Sequence, residues 1–243
     1  MRIKLSFLLV LISITLFSQE NLEIEYEFRN VFDISSVKNQ KHRDIYVNSN
    51  ENRLYFELLS SEKESIFQKI DKIDNSQGKT GVSISFTSGP GGVFYKNLSD
   101  KLTVSKINYK GIDFLINDSI KLNDWILEKN KDKILGFEVR KALLKINNYS
   151  YVEAWYAPEL RIKNGPSNFD GLPGIILKLI ISTEEENEIK KQIYLATLVK
   201  LNDKVRINKP TKGKNISQSD FNKIIEEDNK KMNEFLNEIT NEK

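Results

Sequence analysis

The chain has 243 residues, of which 39% are hydrophobic and 29% charged, with 37 Lys and Arg against 34 Asp and Glu and no cysteine. The missing cysteine excludes disulfides, a thiolate nucleophile and Cys-ligated zinc or iron–sulfur centres, so the fold must stand on its hydrophobic core. A formal net charge of +3, with no basic patch interleaved with aromatics, gives nucleic-acid binding no support.

Arg2 and Lys4 precede an uncharged, largely apolar run over residues 5–17, and Ser18 and Gln19 follow it. That is the form of a secretory signal peptide, with cleavage after Ser18 or Gln19. The run is shorter than the ~20 residues that span a bilayer, and a lipid anchor at the cleavage site would need a cysteine. The expectation is a signal peptide over residues 1–18 and a periplasmic or secreted protein with no stable membrane insertion after cleavage. No Pro/Gly/Ser-rich linker divides residues 19–243, which read as one β-rich domain.

Leu22, Ile24, Tyr26 and Phe28 alternate with Glu23, Glu25, Glu27 and Arg29, the period of a half-buried strand. Residues 31–53 are polar and read as a long loop, and residues 54–59 as a second strand. Ser61-Glu62-Lys63-Glu64 has the form of a capping box, and Ile66, Phe67, Ile70 and Ile73 follow at helical spacing, so a short helix is expected there. Residues 81–87 read as a strand running into Ser88-Gly89-Pro90-Gly91-Gly92. No Gly-Lys-Ser/Thr follows, so these glycines read as a β-connection and not as a phosphate cradle.

Further strands are expected over residues 102–109, 114–117, 125–128, 137–147 and 149–156, the last two joined at the turn signal Asn147-Asn148. Residues 175–183 and 188–200 form another hairpin with a charged tip. In the tail, Phe221, Ile224, Ile225, Met232, Phe235, Leu236 and Ile239 lie along one side of a helix that Ser217 or Ser219 could cap. Many short strands joined by short turns argue a mainly β (α+β) fold. Its expected form is a curved antiparallel sheet, with a short helix after the second strand and an amphipathic C-terminal helix packed on it.

The densest signal runs from Glu153 to Leu177. Trp155 and Tyr156 close a strand with their rings on opposite faces. Gly165-Pro166 and Phe169-Asp170-Gly171 follow, and Leu172-Pro173-Gly174-Ile175 has the preferred composition of a type II turn. Pro173 presets φ at the second position and Gly174 supplies a positive φ at the third.

This block resembles the GLPGLI family, known mainly from Bacteroidetes, with Gly171-Leu172-Pro173-Gly174-Ile175-Ile176 carrying one Leu-to-Ile departure. Phe114 to Asp118, Trp125, Ile134 to Phe137, Lys141 and Ala142 resemble the stretch upstream of the family motif; Ile66 to Ile70 and the run from Gly92 to Asn97 fit more loosely. Many members carry a cysteine where this chain has Val139, and a bulky aromatic where it has Ser167. The resemblance implies export and an antiparallel β-fold, and it brings no catalytic residues. The motif residues Trp155, Tyr156, Gly165, Pro166, Phe169, Gly171, Leu172, Pro173 and Gly174 are expected to act mainly as structure.

Chemistry is sparse elsewhere. The single histidine, His42, stands between Lys41 and Arg43 in a polar stretch, and no Gly-x-Ser-x-Gly elbow presents a serine to it. Asp71, Asp74, Asp118 and Asp124 fall in no calcium-loop pattern. Glu138, Glu153 and Glu159 are the carboxylates a glycoside hydrolase would pair, one of them needing a raised pKa. The reading is no enzyme, no cofactor and no metal. Two binding roles stay open: an interaction module for another envelope protein, or a carrier of an apolar ligand. The carrier would use the concave sheet face, lined from Phe86, Phe94, Tyr95, Phe114, Phe137, Tyr149 and Tyr151 and closed by the C-terminal helix.

Overall fold

The computed structural model describes residues 21–241 apart from 36, 38, 73–90, 122, 186–187 and 203. The expected signal peptide and the expected strand over residues 81–87 therefore lie outside the described residues, as does the glycine connection up to residue 90.

Twelve described strands form one mixed sheet that does not close. In chain order the elements are β1 (Leu22–Phe32), α1 (Gln40–Glu51), β2 (Leu54–Ser60), β3 (Glu64–Ile70), β4 (Val93–Asn97), β5 (Leu102–Tyr109) and β6 (Ile112–Ser119). They continue with β7 (Ile126–Ile134), β8 (Phe137–Lys145), β9 (Ser150–Ala157), β10 (Ile175–Glu185), β11 (Glu188–Leu201), β12 (Lys214–Ser217) and α2 (Gln218–Asn241). The strand order is β12-β6-β5-β4-β3-β2-β1-β11-β10-β9-β8-β7. Two antiparallel meanders, β1–β6 and β7–β11, are thus stitched together by the pairing of β1 with β11. Only the short β12 runs parallel to its neighbour, β6.

Curvature follows from the connectivity. Strands β6 and β7 stand ten positions apart in the sheet order, about 48 Å across a flat sheet. The link between Ser119 and Ile126 reaches at most about 25 Å when fully extended. The sheet must bend until its two ends approach, and the bend defines an inner face. Alternate residues of each strand point there: Ile24, Tyr26 and Phe28 from β1, Phe56 and Leu58 from β2, Phe67, Phe94 and Tyr194, with Ala142, Val152, Ala154 and Leu179 from the second meander. The aromatics pack ring on ring, with Phe56 and Phe67 stacked at 5.2 Å and Phe28 and Tyr194 tilted at 4.8 Å.

The connection from β9 to β10 fills this inner face. Leu160, Ile162 and Leu172 join the main core with Ile175, Ile176 and Leu177 at the head of β10. The Tyr26 hydroxyl donates to the Ile176 carbonyl at 2.7 Å. Helix α2 covers the far end of the same face, its Phe221, Ile224 and Ile225 lying against Phe114 and Ile116. Ser217 caps it by accepting the Asp220 N–H at 3.1 Å; the side chains of Met232, Phe235, Leu236 and Ile239 lie outside the described residues.

Two expectations need correction. The helix expected after the second strand is strand β3, and the short helix lies earlier, between β1 and β2, in the stretch read as a loop. The Ser61 hydroxyl does accept the Lys63 and Glu64 N–H groups, as an N-cap would. Those bonds close a hairpin turn, in which the Ser61 N–H donates to the Glu64 carbonyl at 2.9 Å. Cap and turn share one local hydrogen-bond pattern, and the pairing of Phe67 with Leu58 on β2 decides between them. Helix α1 starts from Asn39, whose side chain accepts the Lys41 N–H at 2.9 Å. It lies near β1, with Tyr46 stacked on Phe32 at 4.6 Å.

Candidate functional site

The motif segment is held by a polar row inside the sheet. Cross-strand register places Ser60, Ser65 and Lys96 side by side on β2, β3 and β4, and all three are buried. Lys96 shares a face with Phe94, two residues before it, so its side chain runs into the core. Asp170 and Asn164 of the β9–β10 connection come down onto this row. Lys96 Nζ lies 2.9 Å from Asp170 Oδ2, with the two side chains 2% and 7% exposed, and it donates to Asn164 Oδ1 at 3.2 Å. Asn164 Nδ2 donates to Ser60 Oγ at 3.1 Å, and Asn164 Oδ1 also accepts the Gly165 N–H at 2.9 Å. Burial holds the Lys96 ammonium below its usual range, and the Asp170 carboxylate pulls it part of the way back. Outside this cluster, the Asp170 carbonyl accepts the Trp125 indole N–H at 2.8 Å.

Each motif residue has a place around this node. Tyr156 is buried on the inner face. Trp155 is half-buried on the opposite side of the strand, donating to Glu153 Oε1 at 2.8 Å. Pro166 is buried, and its carbonyl accepts the Phe169 N–H at 3.2 Å. Phe169 is half-buried and tilted against Trp125 at 6.4 Å. Gly165 has no room for a side chain, since a Cβ would lie 2.7 Å from Ile176 Cδ1 and 2.8 Å from the Phe169 carbonyl oxygen.

The expected type II turn is a tighter one. The Gly174 N–H donates to the Leu172 carbonyl at 2.8 Å, an i to i+2 bond spanning Pro173, while the Ile175 N–H reaches back to Leu160. Proline's fixed φ suits the centre of such an inverse γ-turn. Gly174 has φ +154, and a Cβ there would stand 2.2 Å from the Ala157 carbonyl oxygen. Gly171 has φ +89 and open space around it. Leu172 is buried while Pro173 is exposed.

The outer face of the second meander differs in kind. Register aligns Ile126, Leu143, Glu153, Ile180, Ile193 and Arg29 in one row across β7, β8, β9, β10, β11 and β1. A parallel row carries Lys141, Trp155, Lys178, Leu195 and Glu27, and another carries Lys145, Tyr151, Ser182, Lys191 and Val31. Ile126 is 65% exposed, Tyr151 50% and Leu195 36%; Leu143, Ile180 and Ile193 are half-buried. No element other than the sheet's own side chains is recorded over these residues among those described. Near the β10–β11 end, a cleft of about 390 Å³ is lined by Phe32, Asp33, Tyr46, Thr183, Ile189 and Lys190, among others.

The expected ligand-lining aromatics divide among different places. Phe94 is buried in the main core and Phe137 packs beside it. Tyr95 belongs to a small cluster with Val104 and Leu115, and Phe114 lies under α2. Tyr149 and Tyr151 are exposed, and Phe86 lies outside the described residues. Two of the three candidate carboxylates, Glu138 and Glu153, have lowered pKa values. Lys131 keeps the exposed Glu138 below its ordinary range. At Glu153 burial pushes the pKa up, but the Trp155 N–H and Lys141 outweigh it and leave it lowered. Glu159 is exposed beyond β9. Asp118 is lowered by the Ser119 N–H and then by Lys121. Among the described residues no three His, Cys, Asp or Glu are grouped to hold a metal ion, and no helix is long and apolar enough to cross a membrane.

No curated protein matches the sequence. The fold is similar to that of PNGF-II in two crystal forms, at 17% and 19% identity and TM-scores of 0.54 and 0.53, over 85% of this chain and 32% and 33% of that one. The chain spans about a third of the length of PNGF-II, and at this identity the likeness speaks for the fold alone. A LolA superfamily protein from Nitrosomonas europaea matches 77% of this chain and 88% of its own, at 14% identity. Its TM-score of 0.29 carries no argument. A family model described as "Protein of unknown function (Porph_ging)" matches residues 123–178, which run from Asn123 through β7, β8, β9 and the motif segment into β10.

Proposed function

We propose that this chain is an exported, non-enzymatic binding module of the GLPGLI type, whose outer sheet face docks another protein of the cell envelope. The observation that carries this is the row Ile126–Leu143–Glu153–Ile180–Ile193, apolar on either side of one carboxylate that Lys141 neutralises, with Tyr151, Trp155 and Leu195 at its flanks. Exposed apolar side chains gathered within a polar rim mark interaction sites. The flanking positions Lys141, Lys145, Lys178, Lys191 and Arg29 outnumber Glu27, Glu128 and Glu153, so the partner presents an apolar centre with an acidic surround.

Two features support this reading over a carrier. The inner face is filled by the chain's own segment from Leu160 to Leu177, and the aromatics that would line a ligand face are divided among separate clusters. Against an enzyme stand Glu138 and Glu153, both held ionised, where glycoside hydrolysis needs one proton-bearing carboxyl.

A photo-reactive side chain placed at Ile126 or Tyr151 in the native envelope tests the proposal. The expected result is one discrete protein adduct, absent when the same group replaces exposed Glu159. A stoichiometric amphiphile in the lipid extract of the purified protein would replace this reading with the carrier. Turnover of a glycoside, peptide or ester substrate, abolished by one Glu substitution, would replace it with an enzyme.

A further inference from the structure

The buried node carries a second inference, independent of the docking face. Lys96 Nζ hydrogen-bonds to Asn164 Oδ1 at 3.2 Å and pairs with Asp170 Oδ2 at 2.9 Å. All three residues are shielded from water, Asn164 completely. We propose that Lys96 and Asn164 form an intramolecular isopeptide bond, with Asp170 as the proton carrier.

The parts required for amide exchange are all present. The nucleophile is a primary amine, reactive only when neutral, and burial of Lys96 favours that form. Asp170 is in contact with the ammonium and accepts its proton. The hydrogen bond to Oδ1 keeps Nζ beside the side-chain amide that it attacks, and the packed row of Ser60, Ser65 and Lys96 holds it there. The Gly165 N–H, 2.9 Å from Asn164 Oδ1, faces the oxygen on which charge develops. The Ser60 hydroxyl, 3.1 Å from Nδ2, contacts the leaving group.

The balance closes without a co-reactant. Asp170 takes one proton from the Lys96 ammonium, and the Nζ lone pair adds to Asn164 Cγ, placing negative charge on Oδ1. As the Cγ=O bond re-forms, the Cγ–Nδ2 bond breaks. Nδ2 takes up the proton held by Asp170 and a second from Nζ, and leaves as ammonium. The product is a secondary amide between Nζ and Cγ, and Asp170 is again a carboxylate. Nothing is oxidised or reduced, and water is excluded from the site.

The bond would join β4 in the first meander to the β9–β10 connection in the second, closing a loop between residues 68 apart. In a chain with no cysteine it supplies the cross-link that a disulfide supplies elsewhere, acting on the unfolded state in the same way.

Tryptic peptide mapping of the purified, folded wild-type protein is decisive. Trypsin releases the peptide from Asn164 to Lys178, and the expected finding is this peptide joined to the one containing Lys96. Trypsin does not cut after an acylated lysine, so the joined species carries residues 80–101 uncut and should be lighter than the summed masses of residues 80–101 and 164–178 by one ammonia, about 17 Da. Fragmentation should place the link at Lys96 and Asn164, and Lys96→Met, Asn164→Ala and Asp170→Asn should each give unlinked peptides. Unlinked wild-type peptides of full mass after long incubation would overturn the proposal. So would a deficit of one water, about 18 Da, because that assigns the bond to Asp170.

Discussion

The two faces of the second meander are built from the same strands by the same alternation, yet they are finished differently. On the inner face Ala142, Val152, Ala154 and Leu179 meet a segment of their own chain, and the polar groups that segment brings in are matched to partners. On the outer face Ile126, Leu143, Ile180 and Ile193 line up with nothing recorded over them among the described residues. One face is therefore a matter of stability and the other, under the proposed docking, of association, and substitutions should separate them.

The largest effect is expected at the node. Asp170→Ala removes the proton carrier of the proposed cross-link and leaves the Lys96 ammonium buried without its counter-charge, and the second effect alone costs about 3–5 kcal/mol. Denaturant unfolding should show the loss, and replacing Lys96 with Met in the same chain should recover only the part that comes from the uncompensated charge. If Asp170→Ala alone left the midpoint unchanged, the pair would not be holding the segment.

Next comes Gly174→Ala. Its new Cβ would stand 2.2 Å from the Ala157 carbonyl oxygen at φ +154, so the turn must open or the strand end must move. Overpacking against backbone in a strained conformation costs about 2–4 kcal/mol. At Gly171, where φ is +89 but nothing lies within 4 Å, alanine should cost only about 1–2 kcal/mol. Equal melting temperatures for the two variants would remove the distinction between close approach and simple backbone preference.

On the outer face the expectation reverses. Ile126→Ser and Tyr151→Ser should leave stability within about 0.5 kcal/mol while abolishing the photo-adduct made from a neighbouring position. A large loss of stability in either would show that the row is covered within the folded chain.

Acid should produce the smallest and most diffuse change. Lysine side chains lower the folded pKa values of Glu23, Asp113, Glu138, Asp220 and Asp228. Their stabilisation is complete above the ordinary carboxylate range and is lost as pH falls below about 4 through the lowered folded values. The melting temperature should therefore hold near neutrality and decline gradually under acid, less so at high salt, because these pairs are mostly exposed.

The same contrast governs how much could be read in advance. Alternation gave the strands directly: residues 102–109 are β5, and the hairpin at Asn147-Asn148 joins β8 to β9 where expected. Helix spacing misled at Ile66 to Ile70, because a hairpin turn can use the hydrogen bonds of a cap. Lys96 was legible in principle, since alternation with buried Phe94 points both side chains the same way. A lysine two residues after a phenylalanine is nevertheless an ordinary surface pattern, and only the arrival of Asp170 and Asn164 from about 70 residues away makes burial tolerable. The outer row was invisible for a related reason. Its members are scattered over six strands, and only register aligns them.

The pairing of β1 with β11 has a consequence for how the chain acquires its shape. Leu22 finds Leu201 and Phe32 finds Lys190, so the first described strand pairs with the last but one. A chain delivered N-terminus first, from a ribosome or through a membrane, can form the β1–β2–β3 hairpins early. Its central seam must wait until Leu201 has emerged. Contacts this distant in sequence make folding slow, and the waiting strand β1 exposes one unpaired edge throughout. The interval before that seam closes is when this protein most needs a chaperone or a confined space.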